Sequence, residues 1–407
     1  MAMQSERFDV LIVGGGPVGL TLALALTRSA KGIKVALVDR RPLSVPRDNR
    51  ASAVAAGVRR VFEALGTWQP MAEAAQPITA MRITDSGRGE LSRPLFLSFA
   101  GDVAPGEPFA HMVPNSVMGQ VLLDAVSGAI TVIAPAEIET FEANGAAGVL
   151  RLADGRVLTA PLVVGADGGQ SRLRTIAGIS VVAHDYKQSG LVTTISHELP
   201  HDGVAYEHFR PSGPFASLPL KGNRSSLVWT EASADAPKFL VMGADELNAT
   251  IEAVMGSSLG AVTAEERLQA FPLNLRIARD FVAPRLALVG DAIHVVHPIA
   301  GQGLNLGLKD VAALAEVVVE ALRLGLDHGS DDILAQYQRW RRLDISAMAM
   351  VTDSMNRLFS NEIASVRALR DFGLGLVDRA EPVKAAMIRA AAGVGSNGPR
   401  LLSGLPI

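Results

Sequence analysis

The stretch Phe8-Asp-Val-Leu-Ile-Val-Gly-Gly-Gly-Pro-Val-Gly-Leu20 decides the fold of this chain. It opens with a short apolar run rich in β-branched residues, which predicts a buried parallel strand. Three glycines then follow in the spacing GxGxxG: Gly14, Gly16 and Gly19. A helix-forming run comes next, and Lys34–Val38 predicts a second strand that ends on Asp39. A strand, turn, helix, strand and acid in this order predict a dinucleotide-binding unit.

Each part of this unit has a physical role. Gly14 permits the tight turn, Gly16 lets the backbone approach a pyrophosphate, and Gly19 lets the helix pack closely on the strand. The helix N-terminus at Pro17 offers free N–H groups and a partial positive charge to phosphates. Asp39 can accept hydrogen bonds from both ribose hydroxyls. The unit by itself does not distinguish FAD from NAD.

Two further blocks lie far along the chain. Leu162–Arg174 predicts a strand, then a glycine-rich turn that carries Asp167, then a helix with Ser171 as its N-cap. Taken alone, this block favours a capped turn without a ligand. Arg285–Asp310 predicts a strand that ends at Gly290-Asp291, where Asp291 can bond a ribityl hydroxyl.

The helix of the third block opens on a second glycine-rich turn. Gly301 and Gly303 precede a predicted helix that runs from Leu304 to about Leu324. The amides from Gly301 to Asn305 can face the pyrimidine edge of an isoalloxazine, where negative charge develops on reduction.

Together the three blocks resemble the single-component flavoprotein aromatic hydroxylases, which have the p-hydroxybenzoate hydroxylase fold. The resemblance covers most of the chain and implies non-covalent FAD. It also implies that Arg50, just before a predicted helix Ala51–Gly66, reaches the FAD phosphates, and that Gln120 lies near another cofactor contact. The expected cofactor-binding residues are Gly14, Gly16, Pro17, Gly19, Asp39, Arg40, Arg50, Gln120, Asp167, Asp291, Pro298, Gly301, Gly303, Leu304 and Asn305.

The nicotinamide cofactor is expected to bind only transiently. No second GxGxxG of full quality exists, because Gly301-Gln-Gly303 is followed by Gly307 rather than by a glycine three positions on. The resemblance implies that NAD(P)H reduces the flavin and that O2 then supplies the oxygen atom for an aromatic ring. The cofactor performs the difficult chemistry, and the protein must exclude water.

His297 and Pro298 are the residues expected to line the reactive edge of the flavin. Proline has no N–H and a fixed φ, which suits a rigid wall. His294 lies three residues before His297, but no third ligand is placed near them, so no metal site is predicted. Three tyrosines are either partners of a phenol or half-buried packing residues: Tyr186, Tyr206 and Tyr337.

The predicted fold class is α/β, with a Rossmann-like FAD-binding domain, an inserted antiparallel-sheet substrate domain and a helical C-terminus. The predicted FAD-binding domain is discontinuous, and comprises residues 1–77, 106–182 and 276–340. The predicted substrate domain comprises residues 78–105 and 183–275, where apolar and polar residues alternate. Residues 341–407 are expected to form the C-terminal helical region.

The bulk composition excludes several classes of protein. The chain has 407 residues, 48% hydrophobic and 19% charged, as expected of a folded protein. A net charge of −3 gives no indication of nucleic-acid binding. The absence of cysteine excludes disulfides, thiolate metal sites and flavin attached through sulfur. No signal peptide or membrane span is recognisable, so we expect a cytoplasmic protein, peripheral at most on the inner face of the membrane.

Several segments resemble the ubiquinone-biosynthesis hydroxylases in particular. The strongest is Asp353–Asn361, with Arg367–Leu374 after it; Pro77–Asp85 resembles the first strand of their substrate domain. The resemblance implies a lipophilic substrate, a polyprenylated phenol or quinol precursor. It leaves open contacts with other proteins of ubiquinone biosynthesis.

The sequence allows alternatives for the position of the C-terminal tail and for the function of the protein. Apolar residues between Ile363 and Val377 recur at helical spacing, so this helix either packs on the protein's own core or docks on a bilayer. The alternative functions are hydroxylation of a small soluble aromatic, reduction or halogenation on the same fold, and a non-catalytic FAD-containing scaffold. The widely spaced tryptophans argue against a halogenase: Trp68, Trp229 and Trp340.

Overall fold

The structure of the chain is a computed structural model, which describes residues 5–45, 49–85, 95–100, 102–359, 392–394 and 398–407. Within these residues a six-stranded sheet and a nine-stranded sheet dominate, and three smaller sheets accompany them. The six-stranded sheet with its flanking helices is called the Rossmann-like unit below, and the nine-stranded sheet is called the large sheet.

The strands, in chain order, are β1 Ser5–Arg7, β2 Val10–Val13, β3 Val35–Val38, β4 Ala51–Ala55, β5 Gln76–Ile78, β6 Ala80–Asp85, β7 Leu95–Ala100, β8 Asp102–Ala104, β9 Glu107–Pro108, β10 Ala110–Pro114, β11 Thr131–Ile133, β12 Ile138–Asn144, β13 Ala147–Leu152, β14 Val157–Ala160, β15 Leu162–Gly165, β16 Val181–His197, β17 Val204–Phe209, β18 Phe215–Leu220, β19 Arg224–Ala232, β20 Val262–Ala264, β21 Gln269–Ala278, β22 Val282–Ala283, β23 Leu286–Leu288 and β24 His294–Val295. The α-helices are α1 Pro17–Ser29, α2 Ala56–Ala64, α3 Trp68–Ala72, α4 Asn115–Val126, α5 Arg172–Ile176, α6 Ala236–Leu240, α7 Ala244–Met255, α8 Gln302–Arg323 and α9 Asp331–Phe359.

The Rossmann-like unit has the strand order β11-β3-β2-β15-β23-β22. All its neighbouring strands pair in parallel except β22 and β23. Every residue of β2, β3 and β15 is buried, and α1 packs against α8 and α4. The predicted strand–turn–helix–strand order is therefore confirmed, and the strands from all three motif blocks lie side by side.

One predicted element is wrong. The segment Ala51–Gly66 was expected to be a single helix, but Ala51–Ala55 is a strand that pairs antiparallel with Ala110–Pro114. Only Ala56–Ala64 is helical. The cause is tertiary, because Asn305 of α8 hydrogen bonds to the backbone of this strand and holds it extended.

The large sheet has the order β24-β21-β16-β19-β18-β17-β6-β7, and β20 pairs with β16. It is antiparallel except between β17 and β6. One face packs against α6 and α7 through a cluster that includes Leu191, Leu227 and Trp229. The other face turns toward β4, β5 and β10, because Ala205 of β17 belongs to a hydrophobic cluster with residues of those three strands. β4 in turn contacts α8 of the Rossmann-like unit.

A buried ionic network joins the long helices to the third motif block. The Asp310 carboxylate, fully buried on α8, accepts hydrogen bonds from the Gly290 amide (3.0 Å), His294 Nε2 (2.6 Å) and Arg341 Nε of α9 (2.7 Å). Burial opposes its ionised form, but the neighbouring His294 and Arg341 outweigh that effect and hold the pKa of Asp310 below its usual range. Arg341 also donates to Asp344 at 2.7 Å.

We expect Arg341→Met to lower the free energy of unfolding by about 3–5 kcal/mol, because it leaves the Asp310 charge buried without its cation. Arg342→Met on the same helix is the matched control. The Arg342 ion pair with Asp280 is exposed, so its loss should cost under about 1 kcal/mol. Urea denaturation of both variants measures the difference, and equal effects would contradict the importance of this network.

Candidate functional site

A cavity of about 540 Å³ opens at the carboxyl ends of β2, β3 and β15. In an open parallel sheet this is the place where ligands bind, and the volume suits a nucleotide. The residues that line it include five of the predicted cofactor-binding residues: Gly14, Gly16, Asp39, Arg40 and Asp167. Two of the motif blocks thus meet in one pocket.

The glycine turn is built as the spacing predicts. Gly14 has φ +113°, and a Cβ there would collide with the carbonyl of Ala166. A Cβ on Gly19 would collide with the carbonyl of Gly14, so these two glycines permit close backbone packing. A Cβ on Gly16 would meet open space, and no side chain caps the N-terminus of α1 behind it. Gly16 therefore leaves room for a ligand's phosphates beside free helix N–H groups.

Asp39 is tied to the backbone of this turn. Its Oδ2 accepts from the Gly15 amide at 2.7 Å, and its Oδ1 accepts from the Arg41 amide at 2.8 Å. Each carboxylate oxygen can accept a further hydrogen bond, so a ribose fits beside these contacts. The structure gives Asp39 a second task, which is to fix the glycine loop to the end of β3.

Asp167 offers an acceptor to a ligand. Its Oδ2 accepts from the Leu173 amide at 3.1 Å, while its buried Oδ1 has no partner among the described residues. The Ser171 hydroxyl accepts from the Arg174 amide at 3.0 Å, which confirms the predicted N-cap. A buried acceptor left without a donor costs free energy, and a ligand hydroxyl or amide would satisfy it. The residues present here therefore fit the nucleotide half of FAD.

The third block forms the other predicted half of the cofactor site. The side chain of Asp291 is exposed, yet the surrounding protein desolvates it and raises its pKa, and nearby His294 partly opposes this shift. Gly301 has φ +62° and precedes the first turn of α8, and a Cβ on Gly303 would meet open space. That arrangement fits a flat ring laid against the helix start.

The side chain of Asn305, predicted as a cofactor contact, forms hydrogen bonds with the protein backbone. Its Oδ1 accepts from the Ala55 amide at 2.9 Å, and its Nδ2 donates to the carbonyls of Ala53 and Gly301. It joins the start of α8 to β4. Its place in FAD binding stays a prediction, as does that of half-buried Leu304.

His297 is fully buried, and neither ring nitrogen has a hydrogen-bond partner among the described residues. Its ring packs edge-on against Tyr186, with centroids 5.2 Å apart. Burial lowers the pKa of His297 from 6.5 to about 4, and Asp353 only partly offsets this. The imidazole is therefore neutral near pH 7. Its role along the flavin edge with half-buried Pro298 stays a prediction.

Asp353 and Asn356, from the C-terminal signature that begins at Asp353, form hydrogen bonds with a β-bulge in the large sheet. The register of β16 against β21 shifts between Asp185 and Gln188. Tyr186 in this bulge donates to Asp353 at 3.1 Å, and Asn356 donates to Gln188 at 3.1 Å. The signature thus turns Tyr186 toward His297. The segment Arg367–Leu374 and the predicted helix from Ile363 to Val377 lie outside the described residues.

Two predicted cofactor contacts lie elsewhere in this structure. The guanidinium of Arg50 stacks over the ring of Phe271 of the large sheet at 5.2 Å. Gln120 is exposed on α4 and donates to Asp124 at 2.8 Å. Neither residue lines the nucleotide cavity, and their contact with FAD stays a prediction.

Several residues of the cavity were not among the predicted cofactor contacts. Arg172 and Gln170 line it and lie inside the second motif block, so proximity to Asp167 was a usable signal. Glu137 lines it after β11, and no motif marks that position. The other two tyrosines have separate contacts: Tyr337 donates to the Leu288 carbonyl at 2.8 Å, and Tyr206 lies beneath the Arg82 guanidinium.

Comparison with known proteins agrees with this geometry. The family described as FAD binding domain matches residues 7–352. Ubiquinone hydroxylase UbiL of Rhodospirillum rubrum is 43% identical, over 98% of this chain and 93% of its own. The 3-demethoxyubiquinol 3-hydroxylase of Escherichia coli is 34% identical, over 96% of this chain and 100% of its own. A crystal structure of p-nitrophenol 4-monooxygenase PnpA from Pseudomonas putida shares the fold, with a TM-score of 0.80, 19% identity and coverage of 96% and 100%.

The chain belongs to the FAD-binding family of flavin-dependent aromatic hydroxylases. Within that family it groups with the ubiquinone hydroxylases. FAD is the cofactor of this family, with NAD(P)H as co-substrate. No helix in the described part of the chain is both long and apolar enough to cross a bilayer.

Substitutions at Gly14 and Gly16 should distinguish an effect on folding from an effect on cofactor binding. We expect Gly14→Ala to destabilise the apoprotein, because its Cβ collides with the Ala166 carbonyl. Gly16→Ala should leave the unfolding temperature of the apoprotein unchanged, since Gly16 has φ −76° and open space beside it. It should nevertheless weaken FAD binding about tenfold or more, because the methyl group takes the place of phosphates. Flavin fluorescence titration and thermal unfolding measure the two effects, and unchanged FAD affinity in Gly16→Ala would contradict the assignment.

The neutral state of His297 makes stability depend on pH. In the native state it stays unprotonated down to about pH 4, whereas in the unfolded chain it protonates below 6.5. The unfolded state therefore binds more protons between these values, and stability falls as pH falls through that window. His297→Leu should reduce this slope by up to about 1.4 kcal/mol per pH unit. Urea denaturation between pH 5 and 7.5 tests this, and equal slopes for both proteins would refute it.

Proposed function

We propose that this chain is an FAD-dependent monooxygenase that uses NAD(P)H and O2 to hydroxylate the aromatic ring of a polyprenylated phenol in ubiquinone biosynthesis. The observation that carries the proposal is the nucleotide cavity, whose glycine turn fits FAD, as does the Asp167 oxygen that has no partner among the described residues. The named activities of the relatives at 43% and 34% identity support the choice of ring and pathway.

Within this proposal, the two parts of the chain have different roles. The segments 1–77, 106–182 and 276–340 would hold FAD, and the large sheet from 78–105 and 183–275 would cover the substrate. FAD held there would supply the chemistry: with electrons from NAD(P)H it would activate O2, of which one oxygen atom enters an electron-rich ring and the other leaves as water. The protein's own task is to hold that ring close to the flavin and to exclude water.

The large sheet is suited to a lipophilic substrate. On the face toward the Rossmann-like unit, Val192, Ala216 and Val228 are half-buried and aliphatic. A face of this kind is favourable for an apolar ring and prenyl chain and unfavourable for a charged benzoate. This favours a prenylated phenol over a small soluble aromatic acid, which is the second candidate.

The place of the protein in the cell follows as part of the proposal. A substrate with a prenyl chain resides in a membrane, so the enzyme would work in the cytoplasm at the inner face of that membrane. The C-terminal region 341–407 is the proposed contact, and other proteins of ubiquinone biosynthesis are the proposed partners.

The test is anaerobic reduction of the purified flavoprotein by NADPH and by NADH, followed by mixing with O2 and a farnesylated phenol. We expect flavin reduction by at least one nucleotide and a product that is one oxygen atom heavier than the phenol by mass spectrometry. Oxidation of NAD(P)H with benzoates but not with prenylated phenols would favour the small-aromatic hydroxylase. Failure of both nucleotides to reduce the flavin would favour a scaffold and overturn the proposal.

A further inference from the structure

One row of paired residues crosses five neighbouring strands of the large sheet. Strand register aligns one residue from each of β16, β19, β18, β17 and β6: Val192, Val228, Ala216, Glu207 and Ile83. Four of these residues are aliphatic, and the remaining one, Glu207 of β17, carries a carboxyl group. Side chains at paired positions lie on the same face of a sheet, so the carboxyl of Glu207 stands in an aliphatic strip.

The strip faces the Rossmann-like unit. Ala205, two residues before Glu207 and therefore on the same face, belongs to one hydrophobic cluster with Ala51 and Ala53 of β4. Ala53 in turn lies 3.2 Å from the position of a Cβ on Gly301, at the start of α8. The opposite face is covered, because Phe215 packs with α6 and α7. Glu207 is thus on the side where the ring of FAD is expected.

Along β16 the strip also approaches the predicted reactive edge. Val192 lies four residues from Gln188, about 13 Å along an extended strand. Gln188 borders the bulge that turns Tyr186 toward His297. A prenylated phenol that occupies the strip would therefore lie between β4 and this bulge.

Glu207 has no hydrogen-bond or ion-pair partner among the described residues, although it is only 6% exposed. Burial raises its pKa to about 7, and no charged group contributes to the shift. Glu231 of the same sheet is equally buried but is paired, since it accepts from Arg210 and from Trp229 Nε1 at 2.7 Å each. An unpaired buried carboxyl destabilises a fold, so its presence in a substrate-facing strip indicates a ligand partner.

We propose that the carboxylate of Glu207 accepts a hydrogen bond from the ring hydroxyl of the substrate and thereby fixes the ring in the aliphatic strip. The inference rests on the proposed function and names a substrate-binding residue for it. A charge-assisted hydrogen bond of this kind also increases the electron density of the ring, as attack on oxygen requires. Other titratable groups nearby face away: Tyr206 and His208 alternate to the opposite side, where they contact Arg82 and Thr84.

The test compares wild-type holoenzyme with Glu207→Gln, using a farnesylated phenol in detergent micelles and its methyl ether as a ligand without the donor. Binding is followed by the change in flavin absorbance of the oxidised protein between pH 5.5 and 8.5. We expect the wild type to bind the phenol more tightly as pH rises through about 7, because Glu207 then ionises. Glu207→Gln should bind the phenol about tenfold or more weakly at pH 8.5, without that pH dependence, and bind the ether as the wild type does.

Stability provides a readout that separates binding from folding. Since its folded pKa is raised, Glu207 lowers stability as pH rises from 4.5 through 7, so Glu207→Gln should be more stable than wild type at pH 8. Glu231→Gln, the matched control, should lose stability through its broken pair with Arg210 and keep the phenol affinity of the folded protein.

Two results would overturn the inference. If the wild type hydroxylates the phenol and Glu207→Gln binds and hydroxylates it equally at every pH, Glu207 does not contact the substrate, and the proposed function stands. If the wild type neither binds nor hydroxylates prenylated phenols, the proposed function fails and the assignment of Glu207 fails with it.

Discussion

The buried carboxylate of Asp310 is the contact on which the arrangement of the site depends. It accepts from the Gly290 amide, from His294 and from Arg341, which belong to the third motif block and to α9. His294 lies in the short strand that pairs with β21, so the same carboxylate connects the Rossmann-like unit to the large sheet. A charge in this position is stable only with all its partners, which fixes the relative positions of three distant segments.

Two further contacts extend that arrangement to the cofactor and substrate sides. Asn305, five residues before Asp310 on α8, holds β4 against the helix start. Asp353, on α9 with Arg341, holds Tyr186 against the ring of His297. The helices that carry the ionic network thus also position the loop of the third block and the bulge of the large sheet. Contacts with these two helices therefore bring together residues that are far apart in sequence.

The parts of the fold that were predictable from sequence are those encoded by short spacing. The glycine turn, Asp39 and the Ser171 cap depend on neighbours within about one βαβ unit, and each lies where the spacing indicates. The segment Ala51–Ala55 was misassigned because its alanines favour a helix, whereas its strand depends on pairing with residues 110–114. The contacts of Arg50 and Gln120 with FAD rest on the resemblance and stay predictions.

Glu207 shows most clearly what sequence could not supply. Alternation of apolar and polar residues predicts neighbouring strands of this sheet, but it does not say which face meets the flavin-binding unit. That face is identified by the hydrophobic cluster that Ala205 shares with Ala53 of β4, two residues about 150 positions apart. Buried Glu231 and Glu207 look alike in sequence, and only the structure shows that Arg210 pairs with the first. A carboxyl left unpaired in an aliphatic strip lowers the stability of the protein, and a ligand that binds there can restore it.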